Sequence, residues 1–120
     1  MKHIKRKIER WTQEGGYKRG IILPFLTKPY PDVQVQLTVI EAGNEVLKHY
    51  HVEQTEFIYF LEGACDFIFE NKKIKIESGD LLIIEPNEEH SANNVYNSDA
   101  CFLTFKIHGN PDDTIWSENS

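Results

Sequence analysis

Short β-type segments, separated by turns at intervals of about ten residues, dominate this chain from residue 20 onward. Apolar, β-branched and aromatic residues alternate with polar ones, or run continuously, in segments 20–26, 33–41, 46–51, 56–61, 64–70, 73–77, 81–84, 92–96 and 100–107. Glycine, asparagine, aspartate and proline lie between these segments, where they favour tight turns. Short strands in this number and at this spacing predict an all-β sandwich or barrel.

The length of 120 residues predicts one domain, because it suffices for a single hydrophobic core. The pattern divides that domain into an N-terminal arm (1–19), a barrel (20–109) and a tail (110–120). The tail carries Trp116, which we expect to pack back on the barrel because large indoles are seldom left in water.

The N-terminal arm has a different periodicity from the rest of the chain. Ile4, Ile8 and Trp11 recur at the spacing of one helix face, which predicts a short amphipathic helix over 2–13. The glycine pair at 15–16 would end that helix.

Charge is divided unevenly along the chain, whose net charge is −6. Residues 1–20 carry seven basic and two acidic side chains, a net of +5, whereas residues 21–120 carry six and seventeen, a net of −11. An acidic body repels phosphates, so we expect no nucleic-acid and no membrane partner. The basic arm is instead expected to lie across an acidic surface of its own or a partner subunit.

Nothing in the sequence indicates export or membrane insertion. No apolar run approaches the roughly 20 residues that span a bilayer, and the basic N-terminus is not followed by the apolar segment of a signal peptide. Cys65 and Cys101 lie in strand segments and do not form a CxxC pair, which indicates buried thiols. A cytoplasmic location is the resulting expectation.

Three histidines and one glutamate could meet inside such a barrel: His49, His51, Glu56 and His90. Residues two apart in a strand point to the same face, so His49 and His51 can both aim inward. Imidazole and carboxylate donors without thiolate suit Fe, Mn, Co, Ni, Cu or Zn and disfavour Ca or Mg. A buried histidine more often only hydrogen-bonds to its neighbours, so the residue types alone leave both interpretations open.

Glycines and turn residues frame these side chains at fixed spacings. The first frame reads Gly43, five residues, His49, one residue, His51, four residues, Glu56, six residues, Gly63. The second reads Gly79, five residues, Glu85-Pro86-Asn87, two residues, His90, three residues, Asn94.

These frames resemble the two signature motifs of the cupin superfamily, whose members are small double-stranded β-helix (jelly-roll) barrels. The first motif matches at every defining position. The second departs at Glu85, where proline is usual, and at Asn87, where glycine is usual. Asparagine is the residue that best replaces glycine at positive φ, so we expect the turn to survive. The resemblance covers about residues 43–94 by motif and about 20–108 by strand pattern.

The resemblance implies that His49, His51, Glu56 and His90 bind one divalent transition metal, whose identity stays open. It also implies a homodimer, joined through sheet edges and N-terminal segments. The implied function is a metal-dependent, dioxygenase-like enzyme acting on a small organic molecule. Glu56 is its expected catalytic residue, because only this ligand could release the metal and act as a base. Two alternatives remain: a non-catalytic metal- or ligand-binding or sensing module, and a sugar or nucleotide-sugar isomerase-type barrel.

Two further groups of residues carry expectations. Aromatic side chains of the strand segments are expected mostly in the core: Tyr59, Phe60, Phe67, Phe69, Phe102 and Phe105. Acidic side chains of the turns around the ligands are expected either to lie in solvated loops or to form a rim that would favour neutral or cationic substrates: Glu53, Glu88 and Glu89.

Overall fold

The computed structural model of the protein describes residues 1–5 and 11–117. These residues form strands and no helix, and thus contain no helix of the length and apolarity that crossing a bilayer requires. The strands are β1 (Thr12–Gln13), β2 (Lys18–Leu23), β3 (Gln34–Ile40), β4 (Glu45–Tyr50), β5 (Thr55–Glu62), β6 (Ala64–Phe69), β7 (Lys72–Glu77), β8 (Leu81–Ile84), β9 (His90–Asn93), β10 (Ala100–Ile107) and β11 (Ile115–Trp116).

The strands build two antiparallel sheets around one core. The six-stranded sheet has the order β1-β2-β3-β10-β5-β8, and the five-stranded sheet has the order β11-β4-β9-β6-β7. Strands that follow one another in sequence, such as β4 and β5, often lie in different sheets. The chain therefore winds between the sheets as a double-stranded β-helix, which confirms the predicted all-β jelly-roll fold. Strands β2–β10 correspond to the nine predicted segments, with ends that differ by at most three residues.

The predicted N-terminal helix over 2–13 is absent from its described part. Residues 6–10 lie outside the described residues, 1–5 adopt no regular structure, and Thr12–Gln13 forms β1. The reason lies in the following turn, where Gly16 has a φ of 93° and the Glu14 N–H donates to the Tyr17 carbonyl at 2.7 Å. This turn folds the chain back so that β1 pairs with β2, and the pairing overrides the helical spacing.

Side chains from both sheets fill the core. Phe60, Phe67 and Phe102 are buried as predicted, and Phe60 stacks on Phe102 with 4.7 Å between ring centroids. The prediction was wrong for Tyr59 and Phe105, which are 43% and 38% exposed. Both point outward because they alternate with inward-facing neighbours on β5 and β10.

The inner face of the six-stranded sheet is polar at one end. On β3 the buried polar side chains are Gln34, Gln36 and Thr38, whereas the valines of the same strand are only partly buried and face outward. On β10 the buried Thr104 and Lys106 continue this polar region. The barrel interior thus has an apolar end, occupied by the aromatic core, and a polar end.

Candidate metal centre

The four predicted ligands meet at the polar end of the barrel. His49 lies on β4, His51 directly follows that strand, Glu56 lies on β5 and His90 begins β9, where it pairs with His49. All four side chains are buried, and their ligand atoms lie within 4.8 Å of one another. The geometry therefore brings together all the side chains that the spacing singled out.

A backbone carbonyl orients each imidazole ring. His49 and His90 each place Nδ1 2.8 Å from the carbonyl oxygen of the residue two positions earlier. His51 places Nδ1 2.9 Å from the carbonyl oxygen of Asp113. Because a carbonyl oxygen only accepts hydrogen bonds, each Nδ1 carries the proton and each Nε2 keeps a free lone pair. The three rings are thereby fixed in the tautomer that can bind a metal through Nε2.

Asp113 also fixes the loop between His51 and Glu56. Its carboxylate accepts three hydrogen bonds, each of 2.9 Å, from the backbone N–H groups of residues 52–54. Burial acts to raise the pKa of Asp113, but these three donors outweigh it and hold the pKa below its usual range. One residue of the tail therefore orients a ligand through its carbonyl and the ligand loop through its carboxylate.

Replacing Asp113 by alanine is expected to weaken metal binding by about 10- to 100-fold, which is typical of lost ligand-orienting contacts. The loop of residues 52–54 would lose its anchor, and the backbone carbonyl of residue 113, which the substitution keeps, would no longer be held in place against His51. A competition titration against a chromophoric chelator measures the change. Asp112→Ala, an exposed neighbour, is the matched control and should bind as the wild type does. Equal affinities for the two variants would contradict the orienting role.

His51 and Glu56 approach each other closely enough to share a proton or a metal ion. Nε2 of His51 lies 2.5 Å from a carboxylate oxygen of Glu56. Nδ1 of His51 donates to the Asp113 carbonyl, so Nε2 carries a proton only in the doubly protonated ring, and this buried atom has no assigned hydrogen-bond partner among the described residues. Two lone pairs at this distance repel unless a proton or a metal ion lies with them. The donor set of three imidazoles and one carboxylate fits a divalent transition metal.

The pKa values of the clustered side chains favour the protonation states that bind a cation. Burial, followed by repulsion from His90, lowers the pKa of His49 from 6.5 to about 4, and burial also lowers the pKa of His90. Burial acts to raise the pKa of Glu56, but the contact with His51 and the charge of Lys106 outweigh it and hold that pKa below its usual range. Near neutral pH, His49 and His90 are therefore neutral and the carboxyl group is ionised, the protonation states that metal binding needs.

The metal-free protein is expected to lose stability as the pH falls from about 6.5 to about 4. Across this window the unfolded chain protonates His49 while the folded chain does not, so stability falls as protons are added. The lowered pKa values of Glu56 and Asp113 act in the same direction at more acidic pH. Urea midpoints of chelator-treated protein, measured across this range, test the prediction. His49→Gln should give a shallower pH dependence, and a slope unchanged from wild type would contradict the assignment.

A cavity of about 50 Å³ adjoins the four ligands. This is room for about three water molecules or a ligand of a few heavy atoms. Besides the ligands, polar side chains line it: Tyr17, Gln36, Thr38, Ser91, Thr104 and Lys106. Burial raises the pKa of Tyr17 to about 12, so its phenol is neutral. Apolar core side chains, among them Phe67 and Phe102, complete the lining, so a metal in this site would adjoin a small chamber with both polar and apolar walls.

The family model of the cupin domain matches residues 36–106. The chain belongs to the cupin family. This cupin is 28% identical over 103 residues to an uncharacterized protein of Methanocaldococcus jannaschii, with 81% of this chain and 80% of the relative covered.

Solved structures give the same fold. A predicted oxalate decarboxylase from Thermotoga maritima is 25% identical, with 77% of this cupin and 80% of that chain covered and a TM-score of 0.70. A polyketide cyclase from Streptomyces resistomycificus is 17% identical, with 98% and 88% covered and a TM-score of 0.78. The likeness to the cyclase concerns the fold alone.

The backbone accommodates the departure of this cupin from the second motif at Asn87, where glycine is usual. Asn87 adopts a φ of 66°, as the replacement of glycine by asparagine predicts, and its N–H donates to the His51 carbonyl at 2.6 Å. Asn94 is fully buried and its side-chain amide donates to the Ile40 and Ser98 carbonyls. Both residues therefore shape the turns around the ligands, as expected from the motif.

The sequence analysis missed several residues around the metal centre: Tyr17, Gln36, Lys106 and Asp113. Lys106 could have been predicted to face the interior, because it lies at an alternating position of strand β10. Nothing in the sequence connects Asp113 with His51, because 62 residues separate them. Trp116 does pack back on the barrel as predicted, pairing with β4 and contacting the ring of His49.

Proposed function

We propose that this cupin is a metal-dependent enzyme that acts on a small organic molecule. The buried cluster of three imidazoles and one carboxylate, with Nε2 of His51 and the Glu56 carboxylate close enough to share a cation, carries the proposal. A divalent metal held by these ligands would supply Lewis-acid or redox chemistry to a molecule that chelates it. Four protein donors are fewer than the six that Mn or Fe commonly takes, which leaves room for such a molecule.

Glu56 is the proposed catalytic residue. Its carboxylate lines the cavity and lies between His51 on one side and the strand of Lys106 on the other. A carboxylate in this position could accept a proton from a molecule in the cavity. Dioxygenase-like chemistry is the leading possibility within the proposal and isomerisation the second. The relative named as a predicted oxalate decarboxylase favours small organic molecules as substrates.

The alternatives use the same chamber differently. A binding or sensing module would hold the metal and a ligand without turnover. A nucleotide-sugar isomerase-type barrel would need a much larger pocket, because pockets for ligands of that size are typically about 300 Å³ or more. The cavity of about 50 Å³ counts against that alternative.

Turnover separates the enzyme from the binding module. Protein loaded with Fe(II) or Mn(II) would be incubated under air with a panel of small hydroxy and keto acids, with oxygen uptake and product masses recorded. Turnover by the wild type that is lost in the double variant His51→Ala/His90→Ala supports the enzyme. Ligand binding without any turnover supports the binding module, and equal turnover by the double variant would contradict the proposed site.

We also propose a homodimer. The outer face of the six-stranded sheet carries two apolar rows in register across β8, β5 and β10: Leu81, Tyr59 and Leu103, then Ile83, Phe57 and Phe105. Several are well exposed in the single chain, Leu81 to 57% and Ile83 to 48%. A contiguous apolar patch of this kind favours burial against a second copy. Light scattering should give twice the chain mass, and a monomer would contradict the proposal.

Two predictions from the sequence remain proposals here. One is the division into arm (1–19), barrel (20–109) and tail (110–120) within a single domain. The other is a cytoplasmic location.

A further inference from the structure

Lys106 places an ammonium group inside the barrel. Its side chain is only 6% exposed and lines the cavity, and its strand register sets it between Glu56 on β5 and Gln34 on β3. Among residues 1–5 and 11–117, no carboxylate lies within 4.0 Å of the ammonium nitrogen, and no hydrogen-bond acceptor is assigned to it. Within this described part of the chain, the amine therefore opens on the cavity without a direct ion pair. Burial lowers the pKa of Lys106, and the charge of Glu56 opposes that effect.

Lys106 lowers the pKa of Glu56 through its charge, but no direct ion pair with a described residue accounts for its burial. Burying an ammonium group without partners costs folding free energy, and an apolar side chain of similar length would fit the same place at lower cost. The nearest carboxylate in sequence register, Glu56, is already in contact with His51. The burial of this cation is explained if its ion-pair partner is a ligand bound in the cavity.

The neighbouring wall is oriented to donate hydrogen bonds. The backbone N–H of Phe25 donates to Oε1 of Gln34 at 3.2 Å, which fixes the orientation of that amide. The Gln34 amide then donates to Oε1 of Gln36 at 2.9 Å, and the Gln36 amide donates to Oγ1 of Thr38 at 3.0 Å. Each amide oxygen is thus engaged while each amide nitrogen keeps a second N–H. The wall beside Lys106 consequently presents donors, which suit an anionic ligand.

The acidic side chains of the turns do not oppose an anion here. Glu53, Glu88 and Glu89 do not line the cavity. A carboxylate oxygen of Glu88 accepts from the backbone N–H of Glu85 at 2.7 Å, and Glu89 approaches Lys48 at 3.9 Å. The charge of Lys106 inside the cavity, rather than an acidic rim, is therefore expected to determine which ligand charge is favoured.

We propose that Lys106 binds the carboxylate of a small organic acid in this cavity, with the amide of Gln36 as an additional donor. This anion site rests on the proposed function and names the substrate class of that function. The substrate would be an organic acid anion of a few heavy atoms, bound by Lys106 at one end and by the metal at the other. Lys106 is a binding and specificity residue in this account. The cavity volume of about 50 Å³ limits the ligand to about the size of oxalate.

The test compares Lys106→Met with wild-type protein, using oxalate as the probe. Calorimetric titrations would be run on Mn(II)-loaded and on metal-free protein. Lys106→Met is expected to weaken oxalate binding by about 10- to 100-fold, the effect of losing one charged hydrogen bond. The variant should keep its metal content and unfold at the same or a higher temperature, because a buried unpaired charge has been removed. Lys73→Met, an exposed lysine on β7, is the control and should bind oxalate as the wild type does.

The outcomes separate this inference from the proposed function. Unchanged oxalate affinity in Lys106→Met, or no oxalate binding by the wild type, would overturn the anion site. Loss of metal and of thermal stability in Lys106→Met would also overturn it, because Lys106 would then act as a structural partner of Glu56. If the wild type binds no metal but its weaker oxalate binding still depends on Lys106, the metal-dependent function fails and the anion site stands.

Discussion

Replacing His51 and His90 together by alanine is expected to abolish metal binding by this cupin. The two residues supply two of the three imidazoles in the cluster and leave only His49 and Glu56 as donors. The variant also removes the imidazole that lies against the Glu56 carboxylate. Wild-type protein dialysed against Mn(II), Zn(II) or Co(II) should retain about one metal per chain by elemental analysis, and the double variant none.

Histidines outside the cluster provide matched controls for this variant. His3 and His108 are exposed, so His3→Ala and His108→Asn should retain the wild-type metal content. Asparagine is chosen at 108 because the residue has a φ of 58°, a conformation that asparagine tolerates. Circular dichroism should show that the double variant keeps its β-structure, since the aromatic core lies at the other end of the barrel. Full metal occupancy in a folded double variant would contradict the assigned ligands.

Truncating Phe60 to alanine is expected to lower the free energy of unfolding by about 3–5 kcal/mol, the usual cost of removing a buried aromatic side chain. Phe60 is 0% exposed, stacks on Phe102 and meets the ring of Phe67 edge-on at 6.0 Å between centroids. Residues of both sheets surround the space that the ring would vacate, so the barrel can collapse into it only in part. Urea unfolding followed by circular dichroism measures the change.

An exposed apolar residue on the other sheet serves as the control for Phe60→Ala. Ile74 on β7 is 51% exposed, and Ile74→Ala should change the free energy of unfolding by no more than about 0.5 kcal/mol. If Phe60→Ala were no more destabilising than Ile74→Ala, the position of Phe60 at the centre of the core would be wrong.

The strands and the cluster of candidate ligands were predictable because both depend on local patterns. Period-two alternation and turn residues located β2–β10, and the fixed spacing of His49, His51 and Glu56 placed them on adjoining segments. Asn87 was also predictable, since asparagine is one of the few residues that tolerate the required φ.

The inward face of β3 and β10 could not be chosen from the sequence. Val35 and Val39 belong to the more apolar face of β3, yet they face outward while Gln34 and Gln36 face the barrel interior. The rule that apolar faces point inward fails here because the interior beside the ligands is polar and the outer face of the sheet is apolar. Lys106 was missed for the same reason.

Contacts between distant parts of the chain set a second limit. Asp113 anchors residues 52–54 from the tail, and no local pattern around an aspartate in a polar segment predicts that partner. At the N-terminus, pairing of Thr12 with Arg19 competes with the helical spacing of the arm, and only the folded sheet determines the outcome.

The number of histidine nitrogens bound to the metal is the most direct test of the metal centre. Chelator-treated protein would be loaded with one equivalent of Cu(II) and examined by pulsed electron paramagnetic resonance, with and without ¹⁵N-labelled histidine. The arrangement of His49, His51 and His90 predicts three imidazole nitrogens on one ion per chain, with one lost in each single His→Ala variant at these positions. A bound ion with no imidazole nitrogen, or one unaffected by all three variants, would contradict a metal centre inside the barrel.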